Sequence, residues 1–229
     1  MNIAIITARG GSKRIPRKNV KAFCGKPIIE YSIEAALQSG CFDEVMVSTD
    51  DVEIAAIAKK AGAAVPFMRS EATANDFATT ADVLKEVFDA YQANGKQFTN
   101  ACCIYPTAPF VTAEKLKEAM KTLAETEATT VMPVVQYSFP PQRALVIRDE
   151  NLTPQYPEYQ LKRSQDLEPV YHDAGQFYCF SVEDFLREGK VIGEKTKALI
   201  VSDLEVQDID NEEDWKIAEM KYHLMQTGK

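Results

Sequence analysis

The sequence predicts an α/β protein built as a three-layer α/β/α sandwich, with a mostly parallel sheet carrying helices on both faces. From residue 3 to residue 135, short apolar runs of strand length alternate with longer stretches whose apolar residues recur at helical spacing. That alternation builds parallel strands joined by crossover helices, with ligands at the carboxyl ends of the strands. A further observation bounds the pattern. Between residues 136 and 170 the periodicity breaks, and Pro140, Pro141, Pro154, Pro157 and Pro169 fall among tyrosines, arginines and glutamines.

The run Ile3, Ala4, Ile5, Ile6 reads as a buried strand. It delivers a loop over residues 8–19 in which Gly10 and Gly11 permit backbone shapes closed to other residues. Pro27 can start a helix whose face carries Ile29, Ile33, Ala36 and Leu37 and which ends at Gly40. Residues 44–49 form a second strand, and Asp50 and Asp51 can cap a helix running through Ile54, Ile57 and Ala58 to Gly62. Residues 64–68 read as a short third strand, on an edge or irregular because of Pro66. A polar loop over 69–80 leads into a helix with Val83, Leu84, Val87, Phe88 and Tyr91 on one face. A fourth strand over 101–105 stops at Pro106, a helix spans about 112–123, and a fifth strand covers 129–135.

The stretch 136–170, with one short strand at 144–147, reads as an inserted arm, since irregular segments of that length are usually functional or interfacial. Beyond it, 175–180 returns to a strand, Ser181 to Asp184 resembles a capping box, and the helix that follows ends near Gly189. Residues 197–201 and 206–209 read as late strands, before an amphipathic helix carrying Trp215, Ile217, Ala218 and Met220. No Gly/Ser linker or internal repeat divides the 229 residues, which read as one domain, 1–229, holding the arm.

Thirty-four acids against 26 bases argue against a nucleic-acid partner. Five scattered cysteines with no C-x-x-C suggest neither a disulfide framework nor a zinc site and suit a reducing cytoplasm. No apolar stretch approaches ~20 residues and the N-terminal run is too short for a signal sequence, so a soluble cytoplasmic protein without a membrane partner is expected. Yet seven bases (Arg9, Lys13, Arg14, Arg17, Lys18, Lys21 and Lys26) precede the first acid, Glu30. In a chain of net charge −8 such a concentration calls for an anion, and triphosphate is the best candidate. The loop matches neither the Walker pattern nor the dinucleotide fingerprint; the plainer reading is a basic solvated loop.

Asp208 and Asp210 stand two apart. On an extended segment both carboxylates share a face and can reach one hard cation, Mg²⁺ with nucleotide phosphates being the natural choice. Equally, Asp210 and Asn211 precede Glu212, Glu213 and Asp214, where acids favour a helix N-terminus. Thr79 or Thr80 has a similar second reading, as cap of the helix that follows it.

Residues 8–19 contain A-R-x-G-S-K-x-x-x-x-K-N, with Arg9, Ser12, Lys13, Lys18 and Asn19 in place. This resembles the signature of the cytidylyltransferases that activate sialic acid and related nine-carbon sugars as CMP-sugars. The likeness spans nearly the whole chain, and residues 138–145, 163–168 and 171–178 are similar to the pseudaminic acid branch of that family.

The resemblance implies a Rossmann-like nucleotidyltransferase fold whose inserted arm forms a homodimer. It also implies transfer of CMP from CTP to a nonulosonic acid, pseudaminic acid first, with Mg²⁺ as cofactor and Mn²⁺ able to substitute. Alternatives are sialic, legionaminic or 3-deoxy-octulosonic acid as the sugar, or a non-catalytic nucleotide sensor. On the family pattern Ala8, Arg9, Gly10, Gly11, Ser12 and Asn19 bind the nucleotide, and Arg69 with Asn75, Asp76 and Thr80 contacts cytosine and ribose. Arg9, Lys13 and Lys18 hold phosphates and Asp208 and Asp210 the metal. Tyr105, Thr107, His172, Asp173 and Gln176 meet the sugar, with Arg143 or Arg163 as partner of its carboxylate. His172 has two readings, general base or hydrogen-bonding group. Tyr105 stands where sialic acid enzymes commonly carry Gln, and Ala108 replaces a Ser, departures that count against sialic acid itself.

Overall fold

The structure is a computed structural model that describes residues 1–227. Its centre is strand β1 (Asn2–Thr7), whose side chains alternate between two cores: Ala4 and Ile6 face one, Ile3 and Ile5 the other. A small hairpin, β2 (Ala22–Phe23) and β3 (Lys26–Pro27), follows the basic loop and turns through Cys24 and Gly25 at positive φ. Then come α1 (Ile28–Ser39), β4 (Glu44–Ser48), α2 (Val52–Lys60), α3 (Thr80–Ala93), β5 (Asn100–Ile104), α4 (Ala113–Glu125) and β6 (Thr130–Gln136). The arm contributes the hairpin β7 (Leu145–Arg148) and β8 (Asn151–Pro154). The chain closes with β9 (Tyr171–Asp173), β10 (Phe177–Ser181), α5 (Val182–Glu188), β11 (Thr196–Ile200) and α6 (Glu212–Thr227).

Along the main sheet the order is β11-β6-β10-β5-β1-β4, with β9 on β6. β4, β1 and β5 are mutually parallel, as are β6 and β11, whereas β10 and β9 run antiparallel. α1, α2 and α4 cover one face through Ile29, Ile33, Ile54, Ala58, Leu116 and Met120. α3 covers the other through Leu84, Val87, Phe88 and Tyr91, joined by Phe185 of α5. A third core, Ile15, Phe23, Ile28, Phe110, Ile209 and Trp215, lies beneath the basic loop and pins it to α1 and α6.

Several sequence-based expectations are corrected. Residues 64–68 form no strand: Ala64 makes a single bridge to Met46, and Pro66, lacking an N–H, cannot extend it. Residues 206–209 form no strand either, because side chains instead of a neighbouring strand take the carbonyls here: Lys221 binds Val206 O and Lys18 binds Ile209 O. Gly10 and Gly11 do not use positive φ; Arg17 does, at 57°. In α6 the phase is set by Trp215 and Ala218, which are buried, so Ile217 and Met220 face outward. Leu37 at the end of α1 is likewise exposed.

Candidate active site

The C-terminal end of β1 opens into the basic loop. Ala8 N donates to Ser48 O on β4, and buried Asn19 donates through Nδ2 to Arg9 O at 2.9 Å, closing the loop on itself. Gly10 N donates to Asp50 Oδ1, and a Cβ at Gly10 would meet Asp51 Oδ2 at 2.8 Å, so the glycine is needed for close approach. Asp51 caps α2 by accepting from Glu53 N and Ile54 N and also pairs with Arg17 at 2.5 Å. Arg17 is thus spent on anchoring the loop. Ile15 is buried, which leaves Lys13 and Arg14 outside.

Three cavities adjoin along this edge. The central one, about 360 Å³, is lined by Arg9, Ser12, Lys13, Arg14, Lys18 and Asn19 opposite Tyr105 and Thr107. Lys18 donates to Ile209 O at 2.7 Å, and its ammonium is drawn below the ordinary lysine pKa by burial, against the opposing pull of Asp210 and Asp208. Arg14 pairs with Asp210 at 2.6 Å. Asp210 is free to do so because the helix-capping work falls elsewhere: Asn211 Oδ1 accepts from Glu213 N and Asp214 N, and Asp214 accepts from Asp210 N and Asn211 N. Ile209 points into the core, so Asp208 and Asp210 both turn out of it even without a strand ladder. Among the described residues no three His, Cys, Asp or Glu side chains gather as a metal cluster. Two carboxylates beside a triphosphate-sized basic loop are nonetheless a donor set that suits Mg²⁺, which takes one or two carboxylates and completes its shell with phosphates and water.

The second cavity, about 280 Å³, shares Thr7 and Arg9 with the first and is walled by Arg69, Asn75, Asp76 and Thr80. Arg69 is buried and donates through Nε and Nη2 to Ser48; burial lowers its pKa. Asp76 accepts from Arg9 at 2.7 Å and Lys13 at 2.5 Å, which pull its carboxyl below the usual range. Thr79, with Asp82, forms the capping box of α3, and both Thr79 and Thr80 stand in the cavity wall.

The third cavity, about 540 Å³, meets the first at Tyr105 and Thr107 and holds His172, Asp173, Tyr178, Asp208 and Lys221. Asp173 accepts from Gly175 N at 2.7 Å and from Tyr178 Oη at 2.5 Å; burial and this carboxylate push the Tyr178 phenol up. His172 packs against Tyr137 with the ring planes inclined at 59°, and its Nδ1 donates to Asp173 O at 2.9 Å.

Seven nominated residues line none of the three cavities: Ala8, Gly10 and Gly11 in the backbone of the loop, Asp210 behind its partner Arg14, and Gln176, Arg143 and Arg163. Gln176 is buried and donates to Glu205 O at 2.5 Å. Arg143 and Arg163 stay on the arm, bound to Ser164 at 3.1 Å and Asp166 at 2.8 Å. Conversely Tyr178 and Lys221 line the third cavity unannounced. Lys221 reads in sequence as a solvated helix charge, because nothing local reveals that two distant carbonyls face it.

The chain matches the Cytidylyltransferase family over residues 3–214. It belongs to that family. A pseudaminic acid cytidylyltransferase of Campylobacter jejuni is 38% identical over 222 residues, 96% of each chain. A CMP-N,N'-diacetyllegionaminic acid synthase of Legionella pneumophila is 35% identical, covering 99% of this chain and 98% of its own. A solved CMP:2-keto-3-deoxy-manno-octonic acid synthetase, in complex with CTP, superposes with a TM-score of 0.69 over 99% of both chains. At 16% identity that likeness shows this cytidylyltransferase to have the nucleotidyltransferase fold.

Proposed function

We propose that this cytidylyltransferase transfers CMP from CTP to the anomeric hydroxyl of a nonulosonic acid, pseudaminic acid before its relatives, releasing pyrophosphate. The observation that carries the reading is the row of three adjoining cavities, with the basic loop at its centre. Cytosine and ribose fit beside Arg69 and Thr80, the triphosphate beside Arg9, Lys13 and Lys18, and the sugar beside Tyr105, Thr107, His172 and Asp173. The 38% identity to a pseudaminic acid cytidylyltransferase, over nearly the full length of both chains, supports the choice of sugar.

The sugar hydroxyl attacks the α-phosphorus and pyrophosphate leaves. No nucleophilic side chain is required, because alignment and neutralisation of charge carry the rate. Arg9 and Lys13 bind the phosphates by exchanging Asp76 for phosphate oxygens, and Lys18 meets charge that develops in the transition state. Asp208 and Asp210 would hold Mg²⁺, which supplies Lewis-acid polarisation of phosphate and hydroxyl oxygens. Phe139, Ile147, Leu152 and Leu161, all exposed on the arm, support a homodimer, and the absence among the described residues of a helix long and apolar enough to cross a membrane is consistent with action in the cytoplasm.

Pyrophosphate release from CTP, with pseudaminic, legionaminic and N-acetylneuraminic acids offered separately, tests the reading. Preference for the first is expected. Turnover with another sugar keeps the reaction and overturns the specificity; no turnover with any favours the nucleotide sensor.

A further inference from the structure

Lys221 is the one lysine or arginine in the wall of the third cavity, among the described residues. Asp173, Asp203 and Asp208 stand in the same wall, so the cavity is acidic apart from this ammonium. A nonulosonic acid brings a carboxylate of its own. Placed among three acids that group needs a cation, and this chain's own Arg143 and Arg163 are bound to Ser164 and Asp166 on its arm, so the cation that the chain itself presents there is Lys221, the arm of a second chain being the other source. Lys221 is held in place as well as charged: its Nζ donates to Val206 O at 2.7 Å and Asp203 O at 3.0 Å. An ammonium has three donors, so one remains.

We infer that Lys221 receives the carboxylate of the sugar substrate and so selects an acidic sugar over a neutral one. This rests on the proposed reading of the third cavity as the sugar site. The competing role is purely structural, with Lys221 stapling residues 203–206 and thereby placing Asp208. The two roles differ in what they do to substrates of different charge.

The test measures pyrophosphate release by the full chain with the free sugar acid and with its methyl ester, in wild type, Lys221→Gln and Lys221→Arg. Gln keeps N–H donors for the two carbonyls and removes the charge; Arg keeps the charge. Wild type should prefer acid to ester. Lys221→Gln should raise KM for the acid by roughly 10- to 100-fold, the worth of a hydrogen bond between charged partners, with KM for CTP within about threefold and the acid-over-ester preference lost. Lys221→Arg should retain that preference. Preference for the acid surviving in Lys221→Gln, or KM for CTP rising as far as that for the sugar, would overturn the inference in favour of the staple. If Lys221→Gln loses its thermal unfolding transition, the wild-type and Lys221→Arg arms still decide, since indifference to esterification in either contradicts the assignment. No turnover by wild type with any nonulosonic acid takes down the functional reading itself, a distinguishable failure.

Discussion

Asp210 and Lys18 form the hinge of the proposed chemistry at the scale of single residues. Asp210 is released from capping by Asn211 and Asp214, which is why its carboxylate faces the loop as a partner of Arg14. On the proposed reaction Asp210→Asn should abolish turnover while CTP still binds; isothermal titration beside a rate assay checks this, and near-normal turnover would remove Asp210 from the mechanism. Lys18→Ala should lower the rate by ~10²-fold or more, the usual loss when a donor to transition-state charge is removed. Burial depresses the Lys18 pKa, so its cationic fraction falls at a lower pH than the ~10.4 of a free lysine. The kcat/KM profile, which reports the free enzyme, should therefore carry an early alkaline limb that Lys18→Arg moves outward. The effect on stability has the opposite sign. Between the lowered native pKa and the ordinary one the unfolded chain binds more protons, so this group's contribution to stability rises with pH there. The signature residues of the loop were legible in sequence because their spacing is local. Lys221 and Tyr178 were not, because their place in the site depends on contacts made across the fold.

Secondary-structure elements explain what sequence patterns could and could not say. The helices α1 to α4 were readable because each carries its own apolar stripe at 3.6-residue spacing, and α2, α3 and α4 each begin at a capping side chain, Asp51, Thr79 and Thr112, whereas the apolar run at 64–68 has no such local signal to separate a strand from a single bridge. Direction was not readable for β10: a fully buried run such as Phe177 to Phe180 is apolar whichever way it points. β7 was readable as the short strand at 144–147, but its pairing with β8 was not, because the turn places Asp149 and Glu150 at positive φ without the Asn-Gly or Asp-Gly pair that usually marks such a turn. The capping box at Thr79 fixes where the loop bearing Asn75 and Asp76 ends. Thr79→Ala should cost about 1 kcal/mol, read as a lowered melting temperature, and should weaken CTP binding through the loaded end of that loop. An unchanged melting temperature would show that packing alone holds the N-terminus of α3.

The whole molecule divides its surface unequally. A net charge of −8 coexists with one cationic edge, where Arg9, Lys13 and Arg14 are balanced by Asp76 and Asp210 drawn from distant parts of the chain. The arm exposes 76% of Ile147, 88% of Phe139 and 98% of Leu161, apolar area that a lone chain leaves in water. If this surface joins two chains, sedimentation should give twice the chain mass, and Ile147→Glu with Leu152→Glu should give monomers with β1 to β6 intact. A wild-type monomer would leave the arm without that role.

The proposed attack of a sugar hydroxyl on the α-phosphorus of CTP takes place in the cleft at the end of β1. It is tested most directly by ³¹P NMR of the complete reaction with pseudaminic acid carrying ¹⁸O at the anomeric hydroxyl. A new phosphodiester resonance shifted by the retained ¹⁸O is expected, together with an equivalent amount of unlabelled pyrophosphate. CMP formed without the sugar, or a phosphodiester that has lost the label, would contradict it.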